Sequence, residues 1–571
     1  MVIAGVLISA CAWSTTIRLH SRFDVEVVKD DQSSRLRWGE RVVRALLAAL
    51  LLTALGVGSA RADWYRAETR HFIIIADERP DRIAARAKAL ERYDRALRIF
   101  HHIPDPDVAP VNRVTVFVVR SVAAIEALGV PGAAGFYRPV ASRPVAFTPE
   151  RGESDPRGTI NRTPEAYQLD PESVLRHEYA HHFMFNSWSA QAAPLWFTEG
   201  FAEFHATAMT GSDGSITFGQ IPFYRGDNFL YWHGCDENRI LTTSDLSKLP
   251  PCGVSDIYAY GWLTMDYLLL EEGGRAKLGA YLKAINEGQP LSKAAEVFGD
   301  LNAFEKRLVA RLNARKLPAF TVVAADLKVA EPTVRKLTPG EAATIQVRIR
   351  SNAGVTKEDA ESVYRQAERA AAPYPDDAGA QLALAEAAFD AKHYDATEAA
   401  ARRAIAADPK ASKAMLYLGR AKIEEARAAK ARDAAAWTEA RRWFLAANRV
   451  DPDDAEPLVD YFTSFVIAGQ APTANAKAGL LQAANIAPQD SDLFLIVTYA
   501  YLRDNEPGLA RDSLRALAYY PHSNGASVAR ALMAMIDRGD IAAARAKLEA
   551  RIRDPEAAAE EDKKKPDGQL R

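Results

Sequence analysis

Four prolines in the C-terminal half, Pro409, Pro452, Pro488 and Pro521, each stand five residues after an alanine: Ala404, Ala447, Ala483 and Ala516. The prolines recur at intervals of 43, 36 and 33 residues. Proline lacks the amide hydrogen and its ring clashes with the preceding turn, so each one closes a helix. A period in this range marks a supersecondary unit that buries its apolar face only by stacking on its neighbours. Residues 356–550 are therefore expected to form an all-α stack of helix pairs.

This segment resembles the tetratricopeptide repeats, whose period is about 34 residues. Asp408-Pro409, Asp451-Pro452 and Leu418-Gly419 carry the resemblance together with the alanines. The longest interval needs an insertion, and the charged, alanine-rich residues 427–436 would lengthen the helices there. The resemblance implies a curved solenoid whose concave face holds peptides or a protein partner. The tail, 551–571, carries Glu560-Glu561-Asp562 and then Lys563-Lys564-Lys565, and is expected to be disordered.

Ahead of the repeats runs His177-Glu178-Tyr179-Ala180-His181, followed by Trp196-Phe197-Thr198-Glu199-Gly200-Phe201-Ala202-Glu203. The first string lies in a segment whose apolar Val174, Leu175, Ala180, Phe183 and Met184 have helical spacing. On a helix His177 and His181 stand one turn apart on one face, so both imidazoles reach one ion. Glu178 is turned about 100° from His177, close enough to hold a water on that ion. Residues 195–208 also have helical spacing, behind Pro194, where a helix start tolerates proline. The linker, 186–193, is short, so the second helix folds back and brings Glu199 to the histidines. Two imidazoles, a carboxylate and an open position are the catalytic arrangement of zinc.

H-E-x-x-H followed by W-x-x-E-G-x-A resembles the gluzincin metallopeptidases. The spacing is similar to the peptidase MA-like families rather than the true aminopeptidases, whose glutamate stands one residue further on. The resemblance covers roughly residues 63–315. It implies an α+β zincin-like catalytic domain, followed here by the all-α tetratricopeptide-repeat solenoid. One zinc ion per chain would be held by His177, His181 and Glu199. The implied reaction is peptide-bond hydrolysis, with Glu178 as the general base that takes the water's proton and returns it to the leaving amine. Glu203, one turn beyond Glu199, is the expected acceptor for the second N–H of a ligand histidine. Tyr258 and Gly261 form Y-x-x-G, similar to aminopeptidase relatives whose tyrosine stabilises the oxyanion; Tyr258 is the expected donor and Tyr260 the fallback. In gluzincins an edge strand beside the active helix pairs with the substrate, and Val145, Ala146 and Phe147, with Thr148, are the expected strand. No amine-binding motif precedes His177, which points to an endopeptidase. His182, His205 and His233 are expected to be structural or surface residues.

Around these motifs, residues 71–76 and 113–119 read as strands and 81–100 as a helix. Residues 135–137 and 145–148 read as short strands about a turn at Ala141-Ser142-Arg143. Helices are expected at 257–272, 275–286 and 294–314. Residues 316–355 read as a β-like connector, with strands at 320–323 and 343–349 and a turn at Pro339-Gly340.

At the other end, residues 1–62 read as a leader. Arg35, Arg37, Arg41 and Arg44, an apolar run at 45–57 and Ala60-Arg61-Ala62 read as a secretory signal over 35–62. The run is short for a bilayer span, so no transmembrane segment is expected after cleavage; an uncleaved leader acting as anchor is the alternative. The polar stretch before it points to a translation start further in. Ile8-Ser9-Ala10-Cys11 resembles a lipoprotein box but has no basic residue ahead of it. Export, to a periplasm or the medium, implies an oxidising compartment in which Cys235 and Cys252 would form a disulfide; buried thiols are the alternative. A formal net charge of −2 over 571 residues leaves no footprint for nucleic acid.

Three functions fit these motifs. One is an exported zinc endopeptidase whose repeats bind a peptide or protein substrate or a protein partner. Another is a non-catalytic repeat scaffold with a degenerate peptidase domain. The third is a hydrolase of non-peptide amides or esters. The complete set of His177, Glu178, His181 and Glu199 favours the first, because a degenerate site has no reason to keep its base.

Overall fold

The computed structural model describes residues 63–563 apart from 142, 151–169, 190, 226–237, 244–252, 431–433 and 520–523. The leader, His233, Cys235 and Cys252 lie outside the described residues. The strands are β1 (Tyr65–Glu68), β2 (Phe72–Ala76), β3 (Val114–Val119), β4 (Phe136–Arg138), β5 (Val145–Pro149), β6 (Met209–Thr210), β7 (Ile216–Phe218), β8 (Phe320–Val322) and β9 (Thr333–Lys336). They form a six-stranded sheet of order β4-β5-β3-β2-β1-β9 and a three-stranded sheet of order β6-β7-β8. β2, β3 and β5 run parallel. The crossover that parallel pairing requires after β2 is helix α1 (Pro80–His101).

Every residue of β2, β3 and β5 is buried, as a sheet covered on both faces demands. Phe72, Ile74, Val116 and Ala146 pack with Ile83, Leu90 and Phe100 of α1. Their neighbours Ile73, Ile75, Phe117 and Phe147 form a second layer on the opposite face, with Ile345 and Ile349.

Residues 145–148 are not the edge strand the sequence predicts. β5 is interior, with β3 on one side and β4 on the other. The edge on this side of the sheet is β4, three half-buried residues that the sequence also reads as a short strand.

The stretch 316–355 is no separate connector either. β8 completes the small sheet, and β9 pairs with β1. Residues 343–349, read as a strand, lie instead in the helices Pro339–Ala343 and Ile345–Ala353. Thr338 and Glu341 close a capping box there, and Pro339 occupies the first turn. The alternating Ile345, Val347 and Ile349 arise because this helix is buried on two sides. Ile345 and Ile349 face the sheet, while Val347 packs with Val363, Ala367 and Leu384 of the repeats.

The site helices are α2 (Pro171–Ser187), α3 (Leu195–Ala206), α4 (Gly253–Leu270) and α5 (Gly274–Asn286), followed by α6 (Leu301–Leu312). The single helix expected over 294–314 is broken at Gly299, which has φ +79°; Asp300 then caps α6 by accepting the Ala303 amide at 2.8 Å.

From Lys357 on, the described residues are helices packed on their neighbours, a helical repeat region running to Ile541–Arg553. Ala404, Ala447 and Ala483 are fully buried. A Cβ on Gly419 would lie 2.6 Å from the Phe444 ring, so that glycine permits the helices Ser412–Ala428 and Ala434–Val450 to touch. These two helices, 17 residues each, carry the longest repeat interval. The tail is ordered further than its composition suggests. Pro555–Lys563 is a helix, in which Glu556 and Glu560 pair with Lys357 at 3.1 and 2.9 Å. No helix of the described residues is long and apolar enough to cross a membrane.

Candidate metal centre

Helix α2 starts at Asp170, whose carboxylate accepts the amides of Glu172 and Ser173 at 2.8 and 3.0 Å. The helix buries Tyr179, Ala180, Phe183 and Met184, and leaves His177 and Glu178 half-buried on the site face. Helix α3 is buried from Trp196 to Ala206, and Glu199 and Glu203 within it are each 1% exposed. A carboxylate taken out of water needs compensating charge and hydrogen bonds.

Glu199 finds its compensation in the histidines. Its Oε2 lies 3.5 Å from His177 Nε2 and 3.7 Å from His181 Nε2, and the two Nε2 atoms are 3.2 Å apart. Ligands on a tetrahedron with arms of about 2.1 Å stand roughly 3.4 Å from one another, so the three atoms fit the corners of a zinc site. The electrostatics agree. Burial opposes a charge on His177, but the bond to Glu199 and the carboxylates of Glu203 and Glu178 outweigh it and raise its pKa to about 9. The pocket favours positive charge where the three ligand atoms meet.

Glu203 does not accept from a ligand histidine as expected. His177 Nδ1 is 4.0 Å away, beyond a hydrogen bond. Glu203 instead accepts the Tyr224 hydroxyl at 2.6 Å and Arg225 Nε at 2.9 Å. Sequence reasoning missed Tyr224 and Arg225. They sit in the one-turn helix Phe223–Arg225, where no motif or periodicity marks them.

Tyr258 reaches the site through α4. Its ring lies 6.1 Å from the His177 ring, and the Arg225 guanidinium sits 4.7 Å from its centroid. The Glu199 charge, then burial, push its hydroxyl well above the usual range, so it keeps its proton. Tyr260, the fallback, is fully buried in the core.

The remaining histidines stand apart from the triad. His182 Nδ1 bonds to Tyr137 Oη of β4 at 2.8 Å, and burial, with His71 and Arg98 nearby, lowers its pKa to about 3. His205 donates from Nδ1 to the Phe201 carbonyl at 2.7 Å and faces His101 Nε2 at 2.9 Å; burial lowers its pKa to about 3 as well. Beneath α2, the Tyr179 hydroxyl donates to Asp94 at 2.5 Å, and Arg98 donates to the same carboxylate at 2.7 Å. Tyr179 thus anchors the His177–His181 turn of α2 to α1. The repeats come close as well: Pro488, Ala516 and Tyr519 line a crevice with Phe185, Phe197 and Thr198, and the Phe185 ring stacks on His181.

No protein-family model matches the chain, and no curated protein matches it. Among solved structures, a thermophilic TPR protein of Thermus thermophilus is similar at 18% identity, over 35% of this chain and 97% of its own, with a TM-score of 0.28. PilF of Pseudomonas aeruginosa is similar at 13% identity, over 40% of this chain and 98% of its own, with a TM-score of 0.28. Superpositions this weak bear on nothing further; the helical repeat region stands on its own packing.

Proposed function

We propose that the chain is an exported zinc-dependent metallopeptidase, an endopeptidase, with a helical repeat region that binds protein. The observation that carries this reading is the convergence of His177 Nε2, His181 Nε2 and Glu199 Oε2 within 4.8 Å of one another. Bound by these three atoms, a zinc ion supplies Lewis acidity and lowers the pKa of a water toward 7. Glu178, one residue past His177 on the half-buried face, takes a proton from the attacking water and delivers it to the leaving amine. Tyr258 keeps its proton and donates a hydrogen bond to the developing oxyanion. An extended substrate pairs with the outer edge of β4, Phe136–Arg138, in place of Val145, Ala146 and Phe147.

A second reading, a protein-binding repeat scaffold whose α+β domain is not catalytic, is favoured by one observation. A half-open cavity of about 550 Å³ lies between the repeat helices, with Phe444, Val459, Ile467, Leu495 and Leu548 in its walls. One experiment separates the two. A peptide library is incubated with the wild type and with Glu178→Gln, and zinc content is measured beside cleavage. The peptidase reading expects cleavage to fall by about 10² to 10⁴ in Glu178→Gln with zinc retained. Absence of zinc-dependent cleavage by the wild type leaves the scaffold. Cleavage of esters or non-peptide amides alone would move the activity to another substrate class.

A further inference from the structure

Where the sheet meets the repeats, a cavity of about 160 Å³ opens between the β4–β5 hairpin, the helix Ile345–Ala353 and the first repeat helices. Arg138, Arg143, Arg348, Lys413, Glu386 and Glu456 carry its charge. Glu456 is already taken: Arg420 binds it at 3.1 Å and Lys413 binds it too. Arg138 donates to the Asn352 carbonyl at 2.6 Å. Arg143 and Arg348 are half-buried, and neither is in an ion pair among the described residues; the Glu386 carboxylate, and for Arg348 also that of Glu341, acts on them from further off. Glu386, the remaining carboxylate, accepts the Tyr417 hydroxyl at 3.2 Å. Burial pushes its carboxyl up, against the charges of Arg348 and Arg143, which lower it. Asp390 and Asp490, near Arg138, are pushed up to about 7 by burial.

Two half-buried guanidiniums that repel each other, with no carboxylate in direct contact, favour an anion between them, and their planar forks match oxyanions two bonds at a time. We propose that this cavity binds a small tetrahedral oxyanion of the phosphate or sulfate kind, held by Arg143 and Arg348 and bridging the α+β domain to the repeats. The site is separate from the metal triad, and its test does not depend on hydrolysis.

The test is calorimetric titration of the full chain in chloride buffer with inorganic phosphate and, separately, with sulfate. It is repeated on Arg348→Gln and Arg143→Gln, with melting curves for all three proteins. The wild type is expected to show one saturable site for at least one of the two anions and a higher melting temperature in its presence. Each variant should bind on the order of tenfold more weakly or worse. Arg143 lies on a loop, so its variant reports binding even if the helix variant is perturbed. No saturable binding of either anion, or equal affinity in wild type and variants, would overturn the proposal.

Discussion

Gly200 and Gly261 face each other at the crossing of α3 and α4: a Cβ built on Gly200 would stand 2.5 Å from the Gly261 carbonyl, and one on Gly261 would stand 2.8 Å from Gly200 Cα. The glycine after Glu199 and the glycine three residues after Tyr258 are thus two halves of one contact. Their backbones touch, and that sets the distance from Tyr258 to Glu199 and His177. Gly261→Ala must part the helices, because the obstacle is backbone that no rotamer change can remove. It is expected to cost about 1–3 kcal/mol, read from the urea midpoint, and to weaken zinc binding in a competition titration. Unchanged stability would mean that the two backbones are not in contact.

Arg225 is expected to matter through Glu203. Arg225→Met leaves a carboxylate that is 1% exposed, still bonded to the Tyr224 hydroxyl and 4.0 Å from His177 Nδ1. Breaking a buried pair from one side costs roughly 3 kcal/mol. Chemical denaturation should show a loss of that order, and Glu203→Gln added to Arg225→Met should recover part of it. A single variant as stable as the wild type would contradict the compensation described.

Glu341 gives a pH signature outside the site. Burial raises its pKa, but bonds from Arg335 at 2.6 and 2.8 Å and from the Thr338 amide at 2.9 Å bring it from 4.5 down to about 2. The folded protein therefore binds fewer protons than the unfolded chain between these values, and stability rises with pH across that window. The contribution is complete above about 4.5 and disappears as pH falls through about 2. Glu341→Gln should be less stable than the wild type at pH 7 by about 1 kcal/mol, the worth of a cap. The gap should close as the pH is lowered, as measured by urea midpoints at stepped pH.

The parts of the fold legible in the sequence were those with local causes. His177, His181 and Glu199 could be placed together because helix period and a short linker fix them. The buried strands announced themselves as apolar runs. Long-range causes stayed hidden. Nothing local tells β4 from β5 as the edge, since edge position depends on which strands pair. The alternating Ile345, Val347 and Ile349 mimicked a strand because two different cores press on one helix. Arg225 and Tyr224 meet Glu203 only through tertiary folding. The tail helix is held by lysines some 160 to 200 residues away in sequence, Lys392 and Lys357, which composition cannot reveal.

The proposed zinc ligands are His177, His181 and Glu199, and mass spectrometry of metals in the purified chain, wild type beside His181→Ala, is the measurement to make on them. The wild type should carry about one zinc per chain, in line with a three-residue site, and the variant should lose it while remaining folded by circular dichroism. Folded wild-type protein without zinc after zinc is added back, or equal zinc in His181→Ala, would contradict this assignment.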